Sequence, residues 1–404
     1  MPRPRRPLAT AAAIICGLAA TAAPAHAIDA VTLKKRLTAH SKKLGPASAG
    51  YVVDLDAGTV LFSRRATLAL APASNEKLFT TASALLKFGA AATLTTKAAA
   101  AAGLTIDETG RLGGDLFLVG GGDPSLNDVM LRGMAERLYD AGLRRVAGGV
   151  RGDESAFDKL RGSFDTNFLP DNDLGGWLGA LTWGHGRAYP GGPAAVAAAR
   201  LQKFLKATGV TFGKKARAAA TTAGPGAKVL DRVASPPMST LIAITNQPSD
   251  NFYAETLVKN LGMRFGSTRL GTTNGGLTVM RGKLTDLGVS AKVVDGSGLS
   301  RANRVSPREI VDLLRAMRDD PTYRASLAVP GRSGTLASRM RGTPAAGRCQ
   351  AKTGTLRGVS ALSGYCPAAN GHTIAFSFLE NGVNAVAAKR IEDRMVPNLV
   401  RYSG

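Results

Sequence analysis

Along this chain, short apolar runs of period two alternate with longer stretches of helical period. Residues 31–43 carry their apolar positions at helical spacing. Residues 49–54 and 60–64 are strand-like, and Asp56 and Gly58 between them supply turn chemistry, so the two runs predict a β-hairpin. Pro72 stops that element, and a helix is expected from Ser74 to about Phe88. The texture changes over 95–225, which is rich in Ala and Gly. Here 115–119 is a short strand candidate, 120–125 is a turn, 177–192 an irregular loop and 194–208 an exposed helix. Helical character returns from about 239 to 260. Val293 and Val294 predict a short strand leading into the loop 295–301, and 308–317 a helix with Pro307 at its start. Runs 350–356 and 360–366 form a second hairpin, followed by a strand over 373–379 and a closing helix over 385–400. This order predicts an α+β fold, an antiparallel sheet with helices packed on it. Residues 28–94 and 226–404 form its two halves, and 95–225 is a second, inserted domain.

The first 27 residues change the setting. Arg3, Arg5 and Arg6 precede an apolar run over 8–23, and Ala25-His26-Ala27 is a small-x-small cleavage site. This is the pattern of a secretory signal peptide. It predicts a mature chain starting near Ile28 that is exported, periplasmic or extracellular, and associated with the cell envelope. Removal of Cys16 with the leader leaves Cys349 and Cys366, enough for one disulfide in an oxidising compartment. If the second hairpin turns on Arg357-Gly358, facing residues have numbers that sum to 715, and Cys349 faces Cys366.

The 404 residues carry a formal charge of +23 with a 44% apolar fraction. Such a surface attracts polyanions. For an exported protein these are anionic cell-wall polymers or lipids rather than nucleic acid. The four histidines are scattered without metal-ligand spacing, and neither a metal nor a cofactor is expected.

Three short motifs carry the chemistry. In Ser74-Asn75-Glu76-Lys77, positions i and i+3 of a helix share a face, so Lys77 reaches the Ser74 hydroxyl. Serine needs a base, and a lysine serves once burial and the nearby Lys352 charge lower its pKa. In Ser249-Asp250-Asn251, Ser249 offers a hydroxyl for proton relay and Asn251 an amide to hold a peptide carbonyl. In Lys352-Thr353-Gly354-Thr355, on a strand, the lysine sets a positive potential and the hydroxyls bind a carboxylate. Gly354 admits a substrate backbone to the strand edge.

The order Ser-x-x-Lys, Ser-Asp-Asn, Lys-Thr-Gly is that of penicillin-binding proteins and class A β-lactamases. The chain resembles the D-alanyl-D-alanine carboxypeptidase/endopeptidase family of class C low-molecular-mass penicillin-binding proteins. The stretches that carry the resemblance are GDLFLVGGGDPSL from Gly114, NQPSDNFYAETL from Asn246, DGSGLSRANRVSP from Asp295 and AKTGTLRGVSALSGY from Ala351. The resemblance implies a serine-β-lactamase-like transpeptidase fold and hydrolysis of peptidoglycan stem peptides through an acyl-enzyme on Ser74, with β-lactams as covalent inhibitors. Lys77 is then the general base, Ser249 and Lys352 relay a proton, and Asn251, Thr353 and Thr355 hold the substrate. Asp153 and Arg301 match the family's acid and arginine that grip a diamino-acid side chain. The gap of about 170 residues between the first two motifs implies an insertion shortened relative to the family. The alternatives are a serine β-lactamase, for which Glu76 is poorly placed as a deacylation base, and a catalytically silent peptidoglycan-binding protein.

Overall fold

The computed structural model describes residues 27–219 and 222–404, so the expected leader lies, up to residue 26, outside the described residues. Helix α1 (Ala30–Ser41) starts at Asp29, whose carboxylate accepts from the Thr32 N–H. The hairpin β1 (Ser48–Asp54) and β2 (Thr59–Arg64) follows, then a 3₁₀ turn over Ala73–Glu76 that runs into α2 (Lys77–Phe88). Next come β3 (Thr95–Ala100), β4 (Arg111–Leu112), β5 (Leu116–Val119), α3 (Asp128–Asp140), β6 (Arg145–Val146) and β7 (Val150–Asp153). After a long loop the chain forms α4 (Pro193–Ala207), β8 (Thr211–Phe212), β9 (Arg217–Ala218) and β10 (Lys228–Ala234). Five helices follow: α5 (Met238–Asn246), α6 (Asn251–Phe265), α7 (Thr273–Asp286), α8 (Pro307–Ala316) and α9 (Pro321–Ala325). The chain closes with β11 (Gln350–Leu356), β12 (Val359–Pro367), β13 (Thr373–Asn381) and α10 (Ala385–Arg401).

The main sheet has the order β11-β12-β13-β1-β2 and is antiparallel throughout. Both faces are buried, and the period of two divides the side chains between them. Tyr51, Val53, Ala375 and Leu379 face the core shared with α2 and α5–α8. Val52, Leu362, Phe376 and Phe378 face the core closed by α1 and α10. Helix α8 is started by a capping box between Ser306 and Glu309. Strand β11 forms one edge of this sheet, and a single bridge from Ala328 to Ala351 covers its first part.

A second sheet, β10-β3-β5-β7-β9, and a small third one, β4-β6-β8, enclose a separate apolar cluster. The expected boundary at 225 falls short, because Lys228–Ala234 pairs along β3. The helix expected to be exposed, α4, buries Ala194, Ala197, Ala198, Leu201 and Leu205 in this cluster. Val293 and Val294 form no strand; only an isolated bridge between Lys292 and Arg304 stands there.

The second hairpin pairs Gln350 with Tyr365 through to Leu356 with Val359, a register in which every pair sums to 715. One step further out, Cys349 and Cys366 form the disulfide, with a Cα–Cα distance of 4.3 Å. The bridge closes a loop with a sequence separation of 17 and sits inside the core beneath α10. Replacing both cysteines with alanine in residues 28–404 is expected to reduce the unfolding free energy by about 3 kcal/mol. The change should appear as a lower urea midpoint, with a slope no shallower than that of the bridged chain, because the unbridged denatured state is less compact. Thiol titration of the wild-type chain over residues 28–404, unfolded but unreduced, should find no free thiol, and two free thiols would contradict the bridge.

Candidate active site

The turn that carries Ser74 is shaped by its backbone. Ala73, fully buried, has φ +47°, a region that non-glycine residues seldom enter. The chain then passes through the 3₁₀ turn, in which positions i and i+3 eclipse, so Lys77 lies directly under Ser74. Ser74 alone is partly exposed, while Asn75, Glu76 and Lys77 are buried. The Asn75 amide donates to the Lys352 carbonyl at 3.2 Å and ties the turn to β11. A Cβ on Gly354 would stand 2.7 Å from the Pro72 carbonyl oxygen and 3.1 Å from Asn75 Nδ2. The space that Gly354 leaves is therefore taken by the serine turn itself, and not by an incoming backbone as expected.

Lys77 Nζ has three oxygen neighbours. They are Ser74 Oγ at 3.1 Å, Asn251 Oδ1 at 2.6 Å and the Ser297 carbonyl at 2.6 Å. Burial pushes its pKa down from the ordinary lysine value to about 8, against the pull of Asp295, Glu255, Asp250 and Glu76. The Lys352 charge is not among the causes, contrary to expectation. The influence runs the other way: burial first, and then the Lys77 charge, push Lys352 well below its usual range. A neutral Lys77 has two protons, enough for Asn251 and Ser297, and then presents its lone pair to the Ser74 hydroxyl.

The partners of Lys77 are themselves held. Asp295 accepts from the N–H groups of Gly298 and Ser300 and from the Asn303 amide, which winds the loop after Val294 around one carboxylate. Glu255, one turn along α6 from Asn251, accepts from the N–H groups of Gly296 and Ser297 at 2.9 and 2.8 Å. This aims the Ser297 carbonyl at Lys77. Burial and the Asp295 charge raise Glu255 to about 7. Glu76, also buried, has no hydrogen-bond partner at either oxygen. Burial, and then the Asp295 and Glu255 charges, raise its pKa well above the ordinary carboxylate range.

Ser249 has φ +68°, and its hydroxyl accepts from Lys352 Nζ at 2.8 Å. Asp250 caps α6 by accepting from the Tyr253 N–H. Thr353 Oγ1 donates to Thr335 Oγ1 at 2.7 Å, and the Thr355 side chain is exposed. Ser74, Lys77, Ser249, Asn251, Lys352 and Thr353 thus share one connected site.

Several members of the site carried no signal in the sequence. The long loop between β7 and α4 folds back onto it. The Asp173 carbonyl accepts from the Asn251 amide at 2.7 Å. His185, at φ +62°, places its ring nitrogens 2.8 Å from Asp250 and 3.0 Å from the Gly175 carbonyl. The Asp250 hydrogen bond raises the His185 pKa. Asp165 accepts from Ser300 Oγ at 2.6 Å and from the Arg301 N–H. The Arg301 guanidinium donates to the Arg357 carbonyl at the β11–β12 turn. Asp153 does not join this group. It ends β7, and its carboxylate accepts from the Ser155 and Ala223 N–H groups in the second sheet. The acid beside Arg301 is Asp165, far along the loop from the motif that pointed to Asp153.

The profile of the D-Ala-D-Ala carboxypeptidase 3 (S13) family matches residues 31–173 and 190–402. A D-alanyl-D-alanine carboxypeptidase from an Actinomadura species is 32% identical over 452 residues, covering 89% of this chain and 82% of its own. A carboxypeptidase from Mycolicibacterium smegmatis is 28% identical over 380 residues, covering 85% of this chain and 78% of its own. Among solved structures, penicillin-binding protein 4 from Haemophilus influenzae superposes with a TM-score of 0.79 at 20% identity, over 91% of this chain and 99% of that one. That protein has also been solved in complex with a β-lactam, with a TM-score of 0.73 at 20% identity, over 91% of this chain and 100% of that one.

The protonation state of Lys77 should be visible in the reactivity of Ser74. The base is the neutral amine, so acylation by a reactive amide should fall about tenfold for each pH unit below about 8 and level off above it. Glu255→Gln keeps a carbonyl for the two N–H groups but removes a charge that holds the proton on Lys77. The inflection of the pH–rate profile should move to lower pH. An unchanged or higher inflection would show that Glu255 does not act on Lys77.

Proposed function

The chain belongs to the D-Ala-D-Ala carboxypeptidase 3 (S13) family, and from that premise we propose how its own residues carry out the serine-type carboxypeptidase reaction. Ser74 Oγ attacks the carbonyl of the penultimate D-alanine of a peptidoglycan stem peptide. Lys77, neutral and aimed by Asn251 and Ser297, takes the hydroxyl proton. The N–H groups of Ser74 and Thr355 receive the oxyanion. The terminal D-alanine leaves as its nitrogen takes a proton through Ser249, which Lys352 holds by hydrogen bond. Water then hydrolyses the ester. Thr353 and Thr355 bind the terminal carboxylate. Gly354 acts by bringing β11 against the serine turn. We assign the grip on the substrate side chain to Arg301 with Asp165, which accepts from the Arg301 N–H, in place of Asp153.

The observation that carries this reading is the fully buried Lys77 amine with Ser74, Asn251 and Ser297 around one nitrogen. The same nucleophile accounts for covalent capture by β-lactams, and the β-lactam complex of the Haemophilus relative supports it. A β-lactamase needs a base for fast deacylation, and Glu76, the acid next to the nucleophile, is fully buried with neither oxygen in a hydrogen bond. The basic leader pattern and the disulfide support export to the cell envelope. We also read residues 95–234, with their own sheets and apolar cluster, as the inserted domain, and endopeptidase cleavage as a second activity of the same site.

Incubation with penicillin should give one adduct, mapped by mass spectrometry to Ser74. Ser74→Ala should lose both the adduct and D-alanine release from a stem peptide. Lys77→Arg should retain folding yet acylate slower by about two orders of magnitude or more. An adduct on another serine would overturn the assignment.

A further inference from the structure

At the far end of α2 from Lys77, about 17 Å away along twelve residues of helix, lies a cavity of about 630 Å³ between the peptidase core and the second sheet. Four cations from four different elements line it: Lys87 of α2, Lys97 of β3, Arg232 of β10 and Arg264 of α6. No carboxylate does. Among the described residues none of the four side chains takes part in a salt bridge or donates a hydrogen bond. The floor is aromatic. Phe88 and Phe265 meet edge-on at 4.8 Å, and Lys87 Nζ stands 4.8 Å above the Phe265 ring.

Two of these cations have a local explanation, since Lys87 and Arg264 sit in the last turns of their helices and face the negative end of the dipole. Lys97 and Arg232 have none. They are direct cross-strand partners in the β10–β3 ladder, an arrangement that sets like charges on one face of the sheet and destabilises the pair. Fold stability does not call for such a pair. An anion between them does. Four cations lining one cavity, with Lys87 half-buried and Lys97, Arg232 and Arg264 exposed, match a group with more than one negative charge, and guanidiniums bind phosphate oxygens in bidentate fashion. The aromatic floor accepts the apolar or sugar body that such a group is attached to. We propose that this cavity is a binding site for a phosphate-bearing ligand, separate from the catalytic site.

Inorganic pyrophosphate, titrated into the chain over residues 28–404 at about 0.15 M salt, is the first probe. Two variants of equal charge loss are compared. One carries Lys87→Gln, Lys97→Gln, Arg232→Gln and Arg264→Gln. The other carries Lys34→Gln, Lys35→Gln, Lys42→Gln and Lys43→Gln, all on or just after α1 and exposed. Penicillin labelling of Ser74 checks that each is folded. Pyrophosphate should bind the wild type at one site and raise its Tm. The cavity variant should lose about tenfold or more in affinity and all of the Tm shift, while the α1 variant keeps both. Lys97→Gln alone, a milder change, should raise the Tm of the free protein by relieving the like-charge pair and weaken pyrophosphate. Vesicles of phosphatidylglycerol then identify the source. Selective loss of vesicle binding in the cavity variant indicates a lipid headgroup, and no selective loss indicates a soluble or polymer phosphate. Equal losses of pyrophosphate binding in the two variants, or no binding by the wild type, would overturn the proposal.

Discussion

Everything in the catalytic half of this molecule answers to one requirement: an amine must sit in the core and still be able to give up its proton. A lysine ammonium buried without partners is expensive, and a lysine surrounded by ionised acids never becomes a base. Lys77 lies between these limits. Its three oxygen neighbours are neutral, and the acids that steady its charge, Asp295 and Glu255, stand one layer back with their own oxygens engaged by backbone N–H groups. The start of α2, the first turns of α6 and the loop after Val294 are each placed by this arrangement. The two serines of the site, by contrast, depend on local backbone. Ser74 follows a residue with positive φ and Ser249 has positive φ itself, so each hydroxyl leaves its chain at a sharp turn.

The parts that the sequence made legible are those with local rules. The β11–β12 hairpin follows from strand period and a two-residue turn. That arithmetic alone brought Cys349 opposite Cys366. Ser74, Lys77, Ser249, Asn251 and Lys352 were legible because short spacings on a turn, a cap and a strand carry recognisable chemistry. Helix α7 was not, since Gly275 and Gly276 lower its helical propensity. Tertiary contact requires the second of them: a Cβ on Gly276 would stand 1.9 Å from the Val258 carbonyl oxygen of α6. Strand β10 was missed because it is a polar edge with little apolar alternation. Glu255, Asp165, Asp173 and His185 act through contacts that no sequence spacing encodes.

The segment between the first two motifs is more than an appendage. Leu174 and Leu178 are buried in the peptidase core rather than in the cluster of the second sheet. From that anchor the loop supplies a carbonyl to Asn251 and an imidazole to Asp250, and the glycines around His185 leave room for the ring and its backbone. The orientation of the Asn251 amide is therefore set from two sides, by Lys77 at its oxygen and by Asp173 at its nitrogen.

Strand β11 has one further consequence. A sheet edge beside the nucleophile is open to strands of other chains, and exposed edges invite aggregation. Here the liability is limited by length. The reciprocal hydrogen bonds between Ala328 and Ala351 close the edge at its start, and the turn at Arg357 and Gly358 ends it. What remains, from Lys352 to Leu356, gives a foreign strand little to grip. It also begins at Lys352, whose carbonyl is already taken by the Asn75 amide. The shortness of the free edge is thus itself a guard against self-association.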